Sequence, residues 1–247
     1  MLYTLFKYLL FRPVCRFGFR PTVEGEENIP ASGGAVLAAN HTSAGETFLL
    51  PAMIRRRVTF PAKAELFTGH NLPTHIVAWF LKAVGQVPMD RSGGRASAMG
   101  LEPVMEVLRA GGLVGIFPEG TRSRDGRLYR GRTGVARLAL AAQVPVIPVG
   151  FYGTDFRRGP FGIPTMHRPV IRIGRPIRLD DYVGTDPDGS VYRKVTDQVM
   201  AQIQRLTGQE YVDAYGGTTR AAKLVAGDQP APTAEPASDD SATKPVR

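Results

Sequence analysis

The sequence predicts a single α/β domain with a central mixed, largely parallel sheet flanked by helices, plus an N-terminal amphipathic membrane-interface helix. Three observations predict it. Short runs rich in Val and Ile recur between turn residues, helical patterns separate them, and residues 1–20 are apolar and aromatic but broken by Lys7, Arg12, Arg16 and Arg20. Strands alternating with helices imply crossover connections and a sheet covered on both faces. With 247 residues and 43% hydrophobic composition, the chain holds one sizeable core. It divides into the helix 1–20, a folded domain 21–215 and a Pro-, Ala- and Asp-rich tail 216–247 that has almost nothing to bury and reads as disordered.

The first segment, MLYTLFKYLLFRPVCRFGFR, has no apolar run of the roughly 18 to 20 residues a membrane span requires. It also lacks the order of charge, apolar core and cleavage site that marks a signal peptide. It reads as a short helix whose Leu, Phe and Tyr enter a lipid interface while Lys and Arg meet anionic headgroups; the alternative is a first helix packed on the domain. Strands follow at 33–40 (GGAVLAAN), 56–63, 113–120, 144–151 and 169–174, with helices at 46–53, 75–84, 96–109 and 133–142. A last helix places Val191, Val195, Val199, Ile203 and Leu206 on one face.

Lys and Arg number 31 against 22 Asp and Glu, a net charge of +9 and a pI near 10.0, so the partner is an anion: nucleic acid, anionic lipid or a phosphorylated substrate. Helix-turn-helix, RNP and zinc-finger signals are missing, which argues against nucleic acid. The single Cys15 excludes an intramolecular disulfide framework and a Cys-based zinc site. His70 and His75 flank Pro73 rather than share a helical face, so no metal site is expected.

Chemistry concentrates where the strands end. Asn40-His41 follows the 33–40 run, at the position where open α/β sheets present reactive side chains. His41 and Glu46, five positions apart, would diverge by about 140° on a continuous helix at roughly 100° per residue, so they meet only if His41 lies in the turn before it. Ser43-Ala44-Gly45-Glu46 has the S-x-x-E form of a capping box, with Ser43 as cap and Glu46 reaching back to the Ser43 amide. Glu46 thus has two readings: a helix start, or a carboxylate that accepts an imidazole N–H and fixes the tautomer of a general base. Ser43 as a nucleophile is a weaker rival, because His41 replaces the first glycine of the G-x-S-x-G elbow. Farther along, FPEGTRSR (117–124) presents Glu119, Thr121, Arg122 and Arg124 at a turn enforced by Pro118 and Gly120. Arginine there suits a phosphate monoester, since its planar fork donates two parallel hydrogen bonds. GQVPMDR adds Arg91, and FPAKAELF adds Lys63.

Taken together, NHTSAGE, GQVPMDR, FPEGTRSR and VPVIPVG resemble, in order, the four blocks of the glycerolipid acyltransferase family typified by lysophosphatidate acyltransferases, over approximately residues 20–180. The resemblance implies direct transfer of an acyl chain from a coenzyme A or acyl carrier protein thioester to a hydroxyl of a lysophospholipid acceptor, giving phosphatidate, with no cofactor or metal and no nucleic acid partner. It implies that His41 is the general base, that Glu46 stands where the family generally carries aspartate, and that Arg122 holds the acceptor phosphate. Glu119, Gly120 and Thr121 would form its turn, with Lys63 and Arg91 as auxiliaries. It further implies an enzyme on an anionic membrane surface, peripheral or monotopic on the cytoplasmic face. The segments 1–20 and 75–85 would offer lipid an apolar surface. Glycerol-3-phosphate, another lysophospholipid or a phosphoglycolipid is the alternative acceptor, and a non-catalytic basic protein on anionic membrane is the alternative of another class.

Overall fold

The strand–helix alternation is realised in a computed structural model that describes residues 2–68, 74–75, 78–79, 81, 86–89, 102–159, 164–182 and 184–218. Helix α1 (Leu2–Phe6) runs on through π-helical turns at Lys7–Phe11 and Val14–Phe19 into strand β1 (Thr22–Glu24). Then come β2 (Ala35–Ala39), α2 (Glu46–Met53), β3 (Val58–Thr59), β4 (Pro61–Lys63) and β5 (Val87–Met89). Next are α3 (Glu102–Arg109), β6 (Leu113–Ile116), β7 (Leu128–Tyr129), α4 (Gly134–Ala142) and β8 (Val146–Tyr152). The chain continues with β9 (Arg157–Arg158), β10 (Pro164–Thr165), β11 (Val170–Ile173), α5 (Gly189–Thr207) and β12 (Tyr211–Val212). Most of the expected helix 75–84, the start of the one at 96–109 and the tail beyond 218 lie outside the described residues.

A six-stranded sheet in the order β1-β11-β8-β2-β6-β3 forms the centre. Every neighbouring pair is parallel except β8 with β11, so the sheet is mixed and largely parallel, as the Val- and Ile-rich runs predict. Strand β2 is buried at every position because both of its faces are covered. Ala35, Leu37 and Ala39 join Leu49 and Leu50 of α2 on one side. Val36 and Ala38 join Leu108 of α3, Leu138 of α4, and Val195, Val199 and Ile203 of α5 on the other. Two-residue alternation in a strand thus assigns each side chain to one of two cores. Asp188 opens α5 by accepting the Ser190 and Val191 amides, which leaves its four-residue Val/Ile stripe facing inward.

Two expectations are corrected. The run 56–63 is not one strand: β3 pairs with β6, whereas β4 leaves the main sheet to pair with β5. The change of partner falls at Phe60, whose N–H donates to the Gln86 side-chain carbonyl, and the following Pro61 has no N–H to give. The N-terminal segment is not wholly turned to solvent or lipid either. Lys7 is buried, and its ammonium donates to the carbonyls of Ile54 (2.6 Å), Arg55 (3.0 Å) and Arg56 (3.4 Å), just past the C-terminus of α2. Carbonyls at a helix end lack intrahelical partners and carry the negative end of the dipole, so a cation is drawn inward against the cost of burial. Burial, then the neighbouring Arg12, pushes the Lys7 ammonium down to about 8. Cys15 is buried in the core and Phe11 and Phe19 pack on it, while Leu5, Leu9, Leu10, Val14 and Phe17 remain exposed. No described helix is long and apolar enough to cross a membrane.

Lys7→Met keeps the stem and removes the ammonium. A hydrogen bond to a charged group contributes about 1.5–3 kcal/mol, so the variant should lose at least that much stability, seen as a lower urea midpoint with an unchanged slope.

Candidate active site

The parallel strands β2, β6 and β8 lie side by side at the centre of the sheet and deliver their C-terminal ends to one place. Beyond β2, the buried Asn40 side chain exchanges two hydrogen bonds with the backbone of Phe151 in β8, donating to its carbonyl (3.1 Å) and accepting from its N–H (2.7 Å). This amide continues the ladder after the backbone turns away, and it fixes where the next residue starts. That residue is His41.

His41 is held through its main chain and its ring. Its N–H donates to Glu119 Oε1 (3.0 Å) and its carbonyl accepts from Ser123 N–H (2.7 Å), so both ends of the third block's turn clasp it. The ring lies against Phe117 with centroids 3.8 Å apart and planes 12° from parallel, and Phe117 in turn stacks on Phe60. Gly115 permits this pile, because a Cβ there would stand 2.4 Å from the Phe60 ring. His41 Nδ1 is 2.7 Å from Glu46 Oε2. An ionised carboxylate only accepts, so Nδ1 carries the proton and Nε2 presents its lone pair.

Glu46 is completely buried at the first position of α2, and its remaining capacity is filled by fixed donors. Oε1 accepts from Thr42 N–H (3.0 Å), Thr42 Oγ1 (2.8 Å), Ser43 N–H (3.0 Å) and Thr154 Oγ1 (2.7 Å). The two readings of Glu46 are therefore one arrangement: Oε2 engages His41 while Oε1 reaches back to the Ser43 amide. The capping box is only half formed, since Ser43 Oγ accepts from Gly45 N–H at 3.2 Å rather than from the helix. Among the described hydrogen bonds none joins Ser43 Oγ to His41, so Ser43 is not arranged as a nucleophile.

Glu119 is a correction. It is not presented at the tip of the turn but buried, with Oε1 on the His41 amide and Oε2 on the Tyr129 amide (3.0 Å). The buried Tyr129 N–H and the partly buried His41 N–H have no ladder partner and require an acceptor, which this carboxyl supplies. Burial pushes it up to about 7 against the pull of those two N–H groups, with Glu46 and Asp125 adding to the rise. Gly120, at φ +74°, makes the turn, and Thr121 and Arg122 are exposed on it. Arg91 and the Lys63 side chain lie outside the described residues. Thr154, Thr42 and Phe117 are site residues that the motifs do not single out; only the position of Thr154, just beyond the VPVIPVG strand, hints at its place. Among the described residues no cluster of His, Cys, Asp and Glu is arranged to hold a metal ion.

A histidine oriented by a buried carboxylate, at the C-terminal edge of an α/β sheet and beside an arginine-bearing turn, has the geometry that general-base chemistry requires. The chain belongs to the Acyltransferase family, whose profile matches residues 20–152 and so spans all of these elements except Thr154. It is 30% identical over 191 residues to a 1-acyl-sn-glycerol-3-phosphate acyltransferase of Bacillus subtilis, covering 74% of this chain and 86% of that one. It is 34% identical over 137 residues to a chloroplastic 1-acyl-sn-glycerol-3-phosphate acyltransferase of Arabidopsis thaliana, covering 55% of this chain, and it spans only 37% of that relative's length. The crystal structure of the Thermotoga maritima 1-acyl-sn-glycerophosphate acyltransferase PlsC matches with a TM-score of 0.59 and 26% identity over 83% of this chain and 78% of that one.

Between its ordinary value of 4.5 and about 7, folded Glu119 holds a proton that the unfolded chain has released. Its contribution to stability is therefore full below 4.5 and lost as pH rises through about 7. Urea unfolding across pH 5 to 8 should show wild type losing stability relative to Glu119→Gln, by a few kcal/mol at most. Parallel curves would separate Glu119 from this effect.

Proposed function

We propose that the protein transfers an acyl chain from a coenzyme A or acyl carrier protein thioester to the free hydroxyl of 1-acyl-glycerol-3-phosphate, giving phosphatidate. The observation that carries this reading is His41, with Nδ1 tied to Glu46, no hydrogen bond to Nε2 among the described residues, and its main chain clasped by the turn that bears Arg122. The names of the Bacillus and Arabidopsis relatives support the acceptor.

In this mechanism Nε2 of His41 takes the acceptor hydroxyl proton as the oxygen attacks the thioester carbonyl. The carbon–sulfur bond breaks as the tetrahedral intermediate collapses, and the imidazolium returns its proton to the thiolate. Ester and free thiol are the only products, so the balance requires no redox partner. Glu46 holds the imidazolium by its Nδ1–H and cannot swing away, because Thr42, Ser43 and Thr154 pin its other oxygen. Arg122 anchors the acceptor phosphate, with Arg91 and Lys63 assisting. A general base contributes about 10²- to 10⁴-fold, and alignment of two bound substrates supplies much of the rest.

The enzyme works at an anionic membrane surface, peripheral or monotopic on its cytoplasmic face. Exposed Leu5, Leu9, Leu10, Val14 and Phe17 would enter the interface there, next to Arg12 and Arg16.

A purified-protein assay with matched coenzyme A and carrier-protein donors, read by mass spectrometry against lysophosphatidate, glycerol-3-phosphate and other lysophospholipids, tests the reading. Lysophosphatidate should give the highest kcat/KM, and His41→Ala should lower kcat by about 10²- to 10⁴-fold with the fold intact. Wild-type turnover by that variant would sink the mechanism. Glu46→Asp should retain part of the activity, since it keeps the carboxylate but cannot span His41 and the Ser43 amide together. Arg122→Ala should raise the acceptor KM and spare the donor's.

A further inference from the structure

The chain returns to the third block's turn twice after leaving it, and both returns bear on its arginines. Arg132 N–H donates to Pro118 O (2.8 Å), and its side chain crosses the turn so closely that a Cβ on Gly120 would stand 3.0 Å from Arg132 Nε. The second return is residues 208–218. Strand β12 pairs with β7, and Val212 and Ala214 bury Tyr129. Gly216 then packs beside Thr121, where a Cβ would come within 3.0 Å of its methyl.

This returning segment sorts the arginines of the loop. It neutralises Arg127 through Glu210 (3.2 Å) and Arg130 through Asp213 (3.2 Å), whereas among the described ion pairs none includes Arg122, Arg124 or Arg132. Its Tyr215 ring also takes the Arg132 guanidinium at 5.2 Å and that of Arg130 at 5.7 Å from the ring centroid. A long, exposed arginine is thereby held against an aromatic face, with its side chain lying directly over the glycine of the turn that bears Arg122.

We propose that Arg132 is a second phosphate-binding residue of the acceptor site, and that Tyr215 is its positioning residue. Resting on the reading of Arg122 as a phosphate contact, this extends the working site to residues 208–218, well beyond the matched span 20–152. A phosphate monoester has three peripheral oxygens and more than one charge, so a single guanidinium fork leaves it incompletely held and a second fork at the same turn completes it.

Steady-state kinetics with lysophosphatidate and with the unphosphorylated monoacylglycerol test the proposal in Arg132→Gln, Arg132→Lys, Tyr215→Leu, Tyr215→Phe and Arg122→Ala. Arg132→Gln should raise the lysophosphatidate KM about tenfold and lower the ratio of kcat/KM for phosphorylated over unphosphorylated acceptor by a similar factor. Lys at 132 should recover part of this, Tyr215→Leu should reproduce a several-fold share, and Phe at 215 should restore the stacking and the low KM. An unchanged ratio in Arg132→Gln beside a lowered ratio in Arg122→Ala overturns the proposal and leaves the phosphate reading standing. Unchanged ratios in both overturn that reading itself. A selective rise in donor KM for Arg132→Gln overturns the proposal by placing the guanidinium on the thioester donor's phosphates. An unfolding midpoint for each variant separates binding losses from damage to the fold.

Discussion

A carboxylate with no exposed surface sets the terms for this molecule. Glu46 sits at the start of α2 under the centre of the sheet, where an unpaired charge would cost several kcal/mol. Satisfying it takes donors from the turn after β2 and from Thr154 beyond β8, together with the ring of His41. Those donors hold their positions only if β2 and β8 are neighbours and α2 turns back immediately after the strand. The paired strands, the Asn40 amide that extends their ladder and the tight approach at Gly45 all serve that end; a Cβ on Gly45 would collide with Met166.

A second carboxyl makes the arrangement asymmetric. Glu46 meets His41 at the side chain, and Glu119 meets it at the main chain. The two are close enough for the charge on Glu46 to add to the rise of Glu119 toward about 7. Glu119 lies within the turn that carries Arg122 and Arg132 docks on, so its two backbone contacts fasten that turn to the histidine. The position of His41 and the position of the arginine-bearing turn are thus a single geometric fact.

Much of this was legible in the sequence, and the parts that were not share a cause. Alternating Val- and Ile-rich runs and helical stripes revealed the sheet and helices 46–53 and 133–142, because burial on both faces leaves a direct mark on residue type. The His41–Glu46 spacing likewise betrayed a turn before a helix. Pairing partners leave a weaker mark: Pro61 in TFPAK signals a break in the run, but nothing there says that the strand beyond it pairs with Val87–Met89. Nor does FPEG say which way its glutamate points, since the backbone N–H groups of His41 and Tyr129 that draw it inward lie far away in sequence. Lys7 reads as a headgroup contact for the same reason, the carbonyls it satisfies being nearly fifty residues on. Thr154 belongs to no motif, and only its neighbours in space give it a role.

The stack of His41 on Phe117 has a stereochemical consequence. With one ring face covered at 3.8 Å and Nδ1 committed to Glu46, the imidazole has its Nε2 edge left for a reacting group among the described contacts. A lone pair in the ring plane takes a proton along one line, so the direction of the departing O–H bond is set before the oxygen reacts. In the proposed reaction the acceptor would keep only rotation about its own carbon–oxygen bond, and the anchor of its phosphate would decide that rotation. Regiochemistry in such a site is a property of two fixed points, an edge of a ring and an anchor for an anion, and of the number of bonds between them.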